Sequence, residues 1–167
     1  MIEVIILEHL EMQEIKDEQK TVTVMILPVT VDDLDEIYKI ELECFGGDAY
    51  PRFIFNYLLS NPNSIFLKAL KEDQVAGFIA GVCRTDTCTI YTLNVKKDFR
   101  RKGVGSILLE AFEKEALKRN VRKIVLQVEV TNTAALNLYL KKGYQISRLL
   151  KDYYGWRRDA YEAFKIL

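Results

Sequence analysis

The sequence predicts a mixed-sheet α/β domain, and three patterns carry that expectation. Short runs rich in β-branched and aromatic residues are parted by two-residue polar separators, the spacing of antiparallel hairpins. Longer segments repeat apolar residues at helical spacing. The order along the chain reads strand, two helices, three strands, helix, strand, helix, two strands, which needs both hairpins and a crossover.

Each element follows from its residues. Thr21–Leu27 alternates β-branched side chains and predicts a strand. Thr30-Val-Asp-Asp33 has the form of a capping box, opening a helix with Leu34, Ile37, Tyr38, Leu42 and Phe45 on one face. Gly46-Gly47-Asp48 breaks that helix, and Pro51 suits the first turn of a second one reaching about Ser60. Asn61-Pro62-Asn63 turns the chain into three strands, Ile65–Leu70, Val75–Arg84 and Thr87–Val95, separated by Glu72-Asp73 and Thr85-Asp86. A third helix shows Val104, Ile107, Leu108, Ala111 and Phe112 on one face. Ile124–Val130 is a strand, and Asn132–Lys142 is a helix stopped by Gly143. Tyr144–Leu150 and Ala160–Leu167 form a last antiparallel pair around the loop Lys151–Asp159. Residues 1–20 read either as a strand and turn or as a short helix.

Composition narrows the function. The 167 residues, 49% hydrophobic and 29% charged, fit one soluble domain. Its 24 basic residues balance 24 acidic ones, so no broad attraction to nucleic acid or membrane is expected. Local clusters matter more, above all Lys96, Lys97, Arg100, Arg101 and Lys102. Cys44, Cys83 and Cys88 have no metal spacing; Cys83 and Cys88 can face each other across a hairpin, but reduced intracellular thiols are the expectation. His9 is the sole histidine, which excludes a His-based triad or a multi-histidine metal site. The acidic start is too short in apolar length for a signal peptide or membrane span, so a cytoplasmic protein is expected.

RRKGVGSILLEAF, residues 100–112, joins two arginines to a Gly-x-Gly turn and a helix. Amides at a helix start bind anions, and glycines let a bulky anion approach the backbone. The predicted guest is a phosphate or pyrophosphate. A Walker A loop is ruled out because Gly105 is followed by Ser106 and Ile107 rather than Lys-Ser/Thr. A dinucleotide fingerprint is ruled out because Leu108 stands at its third glycine and the loop follows an antiparallel run.

Arg100-x-x-Gly103-x-Gly105 after TLNV resembles the acetyl-CoA signature of the GNAT superfamily of N-acetyltransferases. LQVEVTNTAALNLYLKKGYQ resembles that superfamily's second signature, with Asn132, Ala135, Tyr139 and Gly143-Tyr144 at the matching places. The resemblance covers residues 21–167 as a single domain, with 1–20 as an N-terminal extension. It implies a mostly antiparallel twisted sheet whose fourth and fifth strands splay apart, with helices on both faces. It implies acetyl-CoA as co-substrate and no metal. The pantetheine arm would pair with the main chain of the Leu93-Asn94-Val95 segment. The pyrophosphate would lie on the amides of Arg101, Lys102, Gly103, Val104, Gly105 and Ser106, helped by Arg100. Asn132 would contact the pantetheine arm or its phosphate, although its position fits a helix N-cap equally well.

In the resembled family Tyr139 protonates or hydrogen-bonds the departing thiolate; the alternative is a core aromatic. RimI-type relatives carry an acidic residue where this chain has Gln127, which accepts no proton. Glu129 shares Gln127's face of the strand and either replaces that base or is a solvated strand residue. Tyr91 is a further candidate for ordering a water. An α-amine with a pKa near ~7.7–8 is roughly a tenth neutral at pH 7, whereas lysine near ~10.4 needs an extra ~3–4 kcal/mol. A site without a strong base therefore suits α-amines better.

ECFGGDAYPRFIF and DYYGWRRDAY resemble the two loops that hold the peptide in RimI-type and N-terminal acetyltransferases. They imply Phe45 and Tyr50 as first-residue pocket residues and Tyr153 and Tyr154 as peptide-binding residues. The expected partner is a protein N-terminus, or alternatively a small amine, for which Asp48 and Asp152 would supply part of an acidic pocket. A non-catalytic acetyl-CoA-binding module is the third reading. The expected assembly is a monomer or homodimer, without nucleic acid or membrane.

Overall fold

A computed structural model describes residues 11–17 and 20–167. His9 and the expectation for residues 1–10 lie outside the described residues. The strands are β1 (Glu11–Asp17), β2 (Lys20–Pro28), β3 (Ser64–Lys71), β4 (Gln74–Arg84), β5 (Thr87–Val95), β6 (Lys123–Glu129), β7 (Gln145–Leu150) and β8 (Ala160–Ile166). The α-helices are α1 (Leu34–Phe45), α2 (Arg52–Ser60), α3 (Val104–Lys118) and α4 (Thr133–Lys141). β1 makes the strand alternative correct for the end of the N-terminal segment, since Glu11–Asp17 pairs antiparallel with β2.

The described strands form one eight-stranded sheet in the order β1-β2-β3-β4-β5-β6-β8-β7. Every described neighbour pair is antiparallel except β5 and β6, which are parallel because α3 carries the chain across between them. With β1 added, the splayed fourth and fifth strands of the resembled fold are β5 and β6 here. Their register runs only through Thr87↔Lys123, Cys88↔Ile124 and Thr89↔Val125. Beyond Thr89 and Val125 the two strands part.

Apolar residues from both faces of the sheet build two cores. On one face α3 packs Val104, Ile107, Leu108 and Phe112 against Ile79, Ile90 and Leu126. On the other, Ile37, Ile40, Phe55 and Leu58 of α1 and α2 cover Phe66, Phe78 and Ala80. Gly81 is obligatory at the first contact: a Cβ there would lie 2.4 Å from the Thr89 carbonyl oxygen and 2.7 Å from the Phe112 ring.

β5 changes faces midway. Ala80 pairs with Thr92 and Gly81 with Ile90, so Tyr91 is one residue too many and forms a β-bulge. Before it, Cys88 and Ile90 face the α3 core; after it, Leu93 and Val95 do. Thr92 and Asn94 are thereby turned toward α1.

Two expectations need correction. The buried stripe of α1 is Leu34, Ile37, Ile40 and Glu41, whereas Leu42 and Phe45 are 43% and 39% exposed. Helical position alone did not show that the sheet lies to the other side of Tyr38. Cys83 and Cys88 are joined by a disulfide rather than reduced, because the β4–β5 register makes them direct partners; Cys44 is free. No described helix is long and apolar enough to cross a membrane.

The capping sequence before α1 does more than start a turn. The Asp33 carboxylate accepts from the Thr30 amide (2.7 Å) and hydroxyl (2.9 Å), and from Lys68 Nζ at 2.6 Å on both oxygens. Burial works to raise the Asp33 pKa, but Lys68 and the Thr30 donors outweigh it and hold the carboxyl below its usual range. This stability is present above the unfolded pKa and is lost as pH falls through the lower folded value. Asp33→Asn leaves a nearly buried ammonium without its counter-charge and is expected to cost about 2–4 kcal/mol at neutral pH. Urea denaturation should show that gap narrowing below about pH 4.

Candidate active site

The parting of β5 and β6 opens a cleft of about 360 Å³. Ile90–Leu93 form one wall and Leu126–Glu129 the other, with Asn132, Ala135 and Tyr139 of the α4 segment beside them. Phe45, Asp48 and Tyr50 enter from the α1–α2 loop, and Tyr153, Tyr154 and Arg158 from the β7–β8 loop. The structure therefore brings Leu93, Gln127, Glu129, Asn132, Tyr139, Phe45, Tyr50, Tyr153 and Tyr154 to one cleft.

The turn before α3 supplies a different surface. Arg101 (φ 58°) and Gly103 (φ 78°) both adopt left-handed backbone, which wraps the chain tightly into the helix. No side chain caps α3. Its first-turn amides, at Val104, Gly105 and Ser106, are thus oriented as an anion site without a built-in acceptor. Arg101 and Lys102 are exposed beside it.

Arg100 stands differently from expectation, and Asn94, Asn132 and Asp152 have hydrogen-bond partners of their own. Arg100 turns back over the end of β5, donating from Nε to the Val95 carbonyl (2.9 Å) and from a terminal nitrogen to Cys44 Sγ (3.3 Å). It is not directed to the α3 start. Asn94, which the bulge turns toward α1, donates to Glu41, so only its backbone remains for a ligand. Asn132 caps α4 by accepting from the Ala135 amide at 3.1 Å, which leaves its Nδ2 donors for the cleft. Asp152 accepts from the Arg157 amide within its own loop and does not line the cleft. Of the two acidic residues expected to supply part of a receptor for a cationic small amine, Asp48 lines the cleft and Asp152 does not.

Glu129 keeps 26% of its side chain exposed and is ion-paired rather than free. Arg158 grips it with two hydrogen bonds of 2.9 and 3.0 Å, and this pairing holds its carboxyl below the usual range against a smaller opposing effect of burial. The same guanidinium reaches Asp48 at 2.8 Å and the Tyr154 carbonyl at 3.3 Å. Arg158, which the sequence did not single out, thus ties both mouth loops to β6. Its place in a loop of charged residues offered no periodic signal.

Gln127 donates to Glu162 (3.3 Å), while the Tyr154 hydroxyl donates to the Gln127 carbonyl (3.1 Å). Burial and neighbouring Tyr153 push the Tyr154 phenol up to about 12. Tyr139 is 7% exposed and packs edge-on against Tyr144 with ring centres 5.5 Å apart. Burial raises its phenol well above the ordinary value, so it carries its proton throughout the neutral range.

Glu41 was also missed. It is fully buried at 0% exposure and lines the cleft, accepting from the Tyr50 amide (3.1 Å), the Thr92 hydroxyl (3.0 Å) and Asn94. A helical signal existed: Glu41 lies four residues after Ile37 and seven after Leu34, on the buried stripe.

Comparisons with known proteins agree with this geometry. The model of the acetyltransferase (GNAT) family matches residues 31–144. The chain is 30% identical over 143 residues to an N-alpha-acetyltransferase of Sulfurisphaera tokodaii, covering 77% of this chain and 84% of that one. It is 33% identical over 88 residues to the ribosomal protein bS18-alanine N-acetyltransferase of Salmonella typhimurium, covering 53% and 60%. Among solved structures, Ard1 from Thermoplasma volcanium superposes with a TM-score of 0.80 at 27% identity, covering 86% of this chain and 97% of that one.

Proposed function

The chain belongs to the acetyltransferase (GNAT) family and is an N-acetyltransferase, and from that premise we propose that it moves the acetyl group of acetyl-CoA to the α-amine of a protein N-terminus. The observation that carries this reading is the parting of β5 and β6 directly between two aromatic loops. A strand edge left unpaired inside the sheet suits an amide-bearing linear arm, which completes it as an added strand would. An extended peptide entering between Tyr50 and Tyr153 meets the same cleft from the opposite side.

The residues present fit acetyl-CoA. The uncapped α3 start with Arg101 and Lys102 suits its pyrophosphate, and the backbone of Leu93 and Val95 suits its pantetheine amides. The Asn132 Nδ2 donors suit the arm between them. Acetyl-CoA supplies an activated acyl carbon as a thioester. Tyr139 donates a hydrogen bond to the leaving sulfur. Its raised phenol pKa makes it a donor to a thiolate of ordinary pKa near ~8.5 rather than a full proton source.

Acceptor specificity falls to Phe45, Tyr50, Tyr153 and Tyr154. Arg158 neutralises Asp48 and Glu129 at the mouth, which disfavours a polycationic small amine. The relatives named for N-terminal substrates support the same acceptor class.

The test is incubation with acetyl-CoA and a library of short peptides bearing free or blocked N-termini, read by mass spectrometry. Acetylation of free α-amines, with internal lysines of blocked peptides untouched, is the expected result. Transfer confined to small amines overturns the acceptor assignment.

A further inference from the structure

The cleft holds three carboxylates, and two are already spoken for. Asp48 and Glu129 are both ion-paired with Arg158. Gln127 stands where an acidic residue was expected and accepts no proton. Glu41 is different: among the described residues no ion pair reaches it, and its partners are neutral donors.

We propose that Glu41 accepts the proton given up by the acceptor amine, passed to it through the Thr92 hydroxyl. The proposal rests on the α-amine reading only for the pH at which the acceptor loses its own proton.

The hydrogen-bond inventory of Thr92 supports the relay. Its hydroxyl donates to Glu41 Oε2 (3.0 Å) and accepts from Asn94 Nδ2 (3.0 Å), so one lone pair remains. Thr92 lines the cleft, where an ammonium or a water held by it can donate to that lone pair. As a proton arrives at Thr92 Oγ1, the hydroxyl's own proton passes to Glu41. The bound ammonium becomes an amine and the carboxylate a carboxylic acid. The nitrogen lone pair then forms the C–N bond as the C–S bond breaks, and sulfur leaves as thiolate. The second amine proton goes to that thiolate, and Glu41 returns its proton to water.

The surroundings suit this task. Burial raises the Glu41 pKa against three opposing hydrogen bonds, toward the range where a base works at neutral pH. Cys44 on its own helix and Tyr50 from the next loop are both pushed up by burial and stay neutral. Tyr91 of β5 stacks near Tyr50 at 6.3 Å. Across the cleft, Arg158, Asp48 and Glu129 form a fixed ion cluster.

A pH series separates this role from a merely structural one. In the wild type the acid limb of kcat/KM belongs to the protein. In Glu41→Gln the acceptor must arrive already neutral, so the limb moves to the amine's own pKa near ~8. The variant should lose roughly 30-fold at about pH 6.5 and come within about threefold of wild type at about pH 9. Thr92→Val should behave alike. A loss that is uniform with pH, or none, overturns the proposal.

If either variant misfolds, the wild type decides with two acceptors of different amine pKa. A limb that stays put supports Glu41, and one that follows the acceptor overturns it. Failure of the acceptor reading looks different: no peptide is acetylated at all, and the same pH series is then run with the small amine that is.

Discussion

Tyr139→Phe is expected to lower kcat by about 10²–10³-fold while leaving KM for acetyl-CoA within about twofold. The substitution removes one hydroxyl from a ring that is otherwise fixed by its edge-on contact with Tyr144 and by its place in the α3 core. Packing is conserved, so stability should hardly change. On the proposed role, what disappears is a donor that matters most when negative charge gathers on sulfur, and an interaction stronger in the transition state than in the ground state appears in kcat. Steady-state kinetics with a saturating peptide, beside a melting curve, reads both quantities. Equal losses in KM and stability would mean that Tyr139 is a packing residue.

The second large effect is on stability. Phe55→Ala should cost about 3–5 kcal/mol, a sizeable share of the roughly 5–15 kcal/mol a domain has to spare. Phe55 is 0% exposed and central to an aromatic cluster, with ring centres 6.0 Å from Phe78, 6.2 Å from Tyr38 and 6.3 Å from Phe66. No neighbour can close over the gap without tilting α2. At about 2–4 °C per kcal/mol for a chain of this size, Tm should fall by about 6–20 °C. Because α2 follows directly on the loop bearing Phe45 and Tyr50, peptide KM should rise before the fold is lost. Calorimetry and peptide titration test the two halves separately.

Local pattern made most of the fold legible. The β3–β4–β5 meander followed from two-residue separators, and the α4 stop from Gly143, which indeed adopts φ 85°. The cleft aromatics were found through motif resemblance, and the structure groups them. Glu41 and Arg158 escaped because their meaning is tertiary. Glu41 reads as a solvated residue of an acidic helix until Thr92 and Asn94 arrive from a strand about fifty residues later, turned by a bulge that no periodicity announces. Arg158 reads as one charge among several until Asp48 and Glu129 converge on it from separate elements. Arg100 was assigned through the motif resemblance, and its side-chain direction took it to Val95 and Cys44 instead.

The extra residue in β5 is a local device whose loss the register of the strand would absorb. Deleting Tyr91 would restore unbroken alternation while Ile90 and Thr92 keep Gly81 and Ala80 as partners, so leucine and valine would stay in oil and threonine and asparagine beside the carboxylate. What an in-frame loss of that codon would remove is one ring from the cleft wall and the added local twist that the bulge lends the strand.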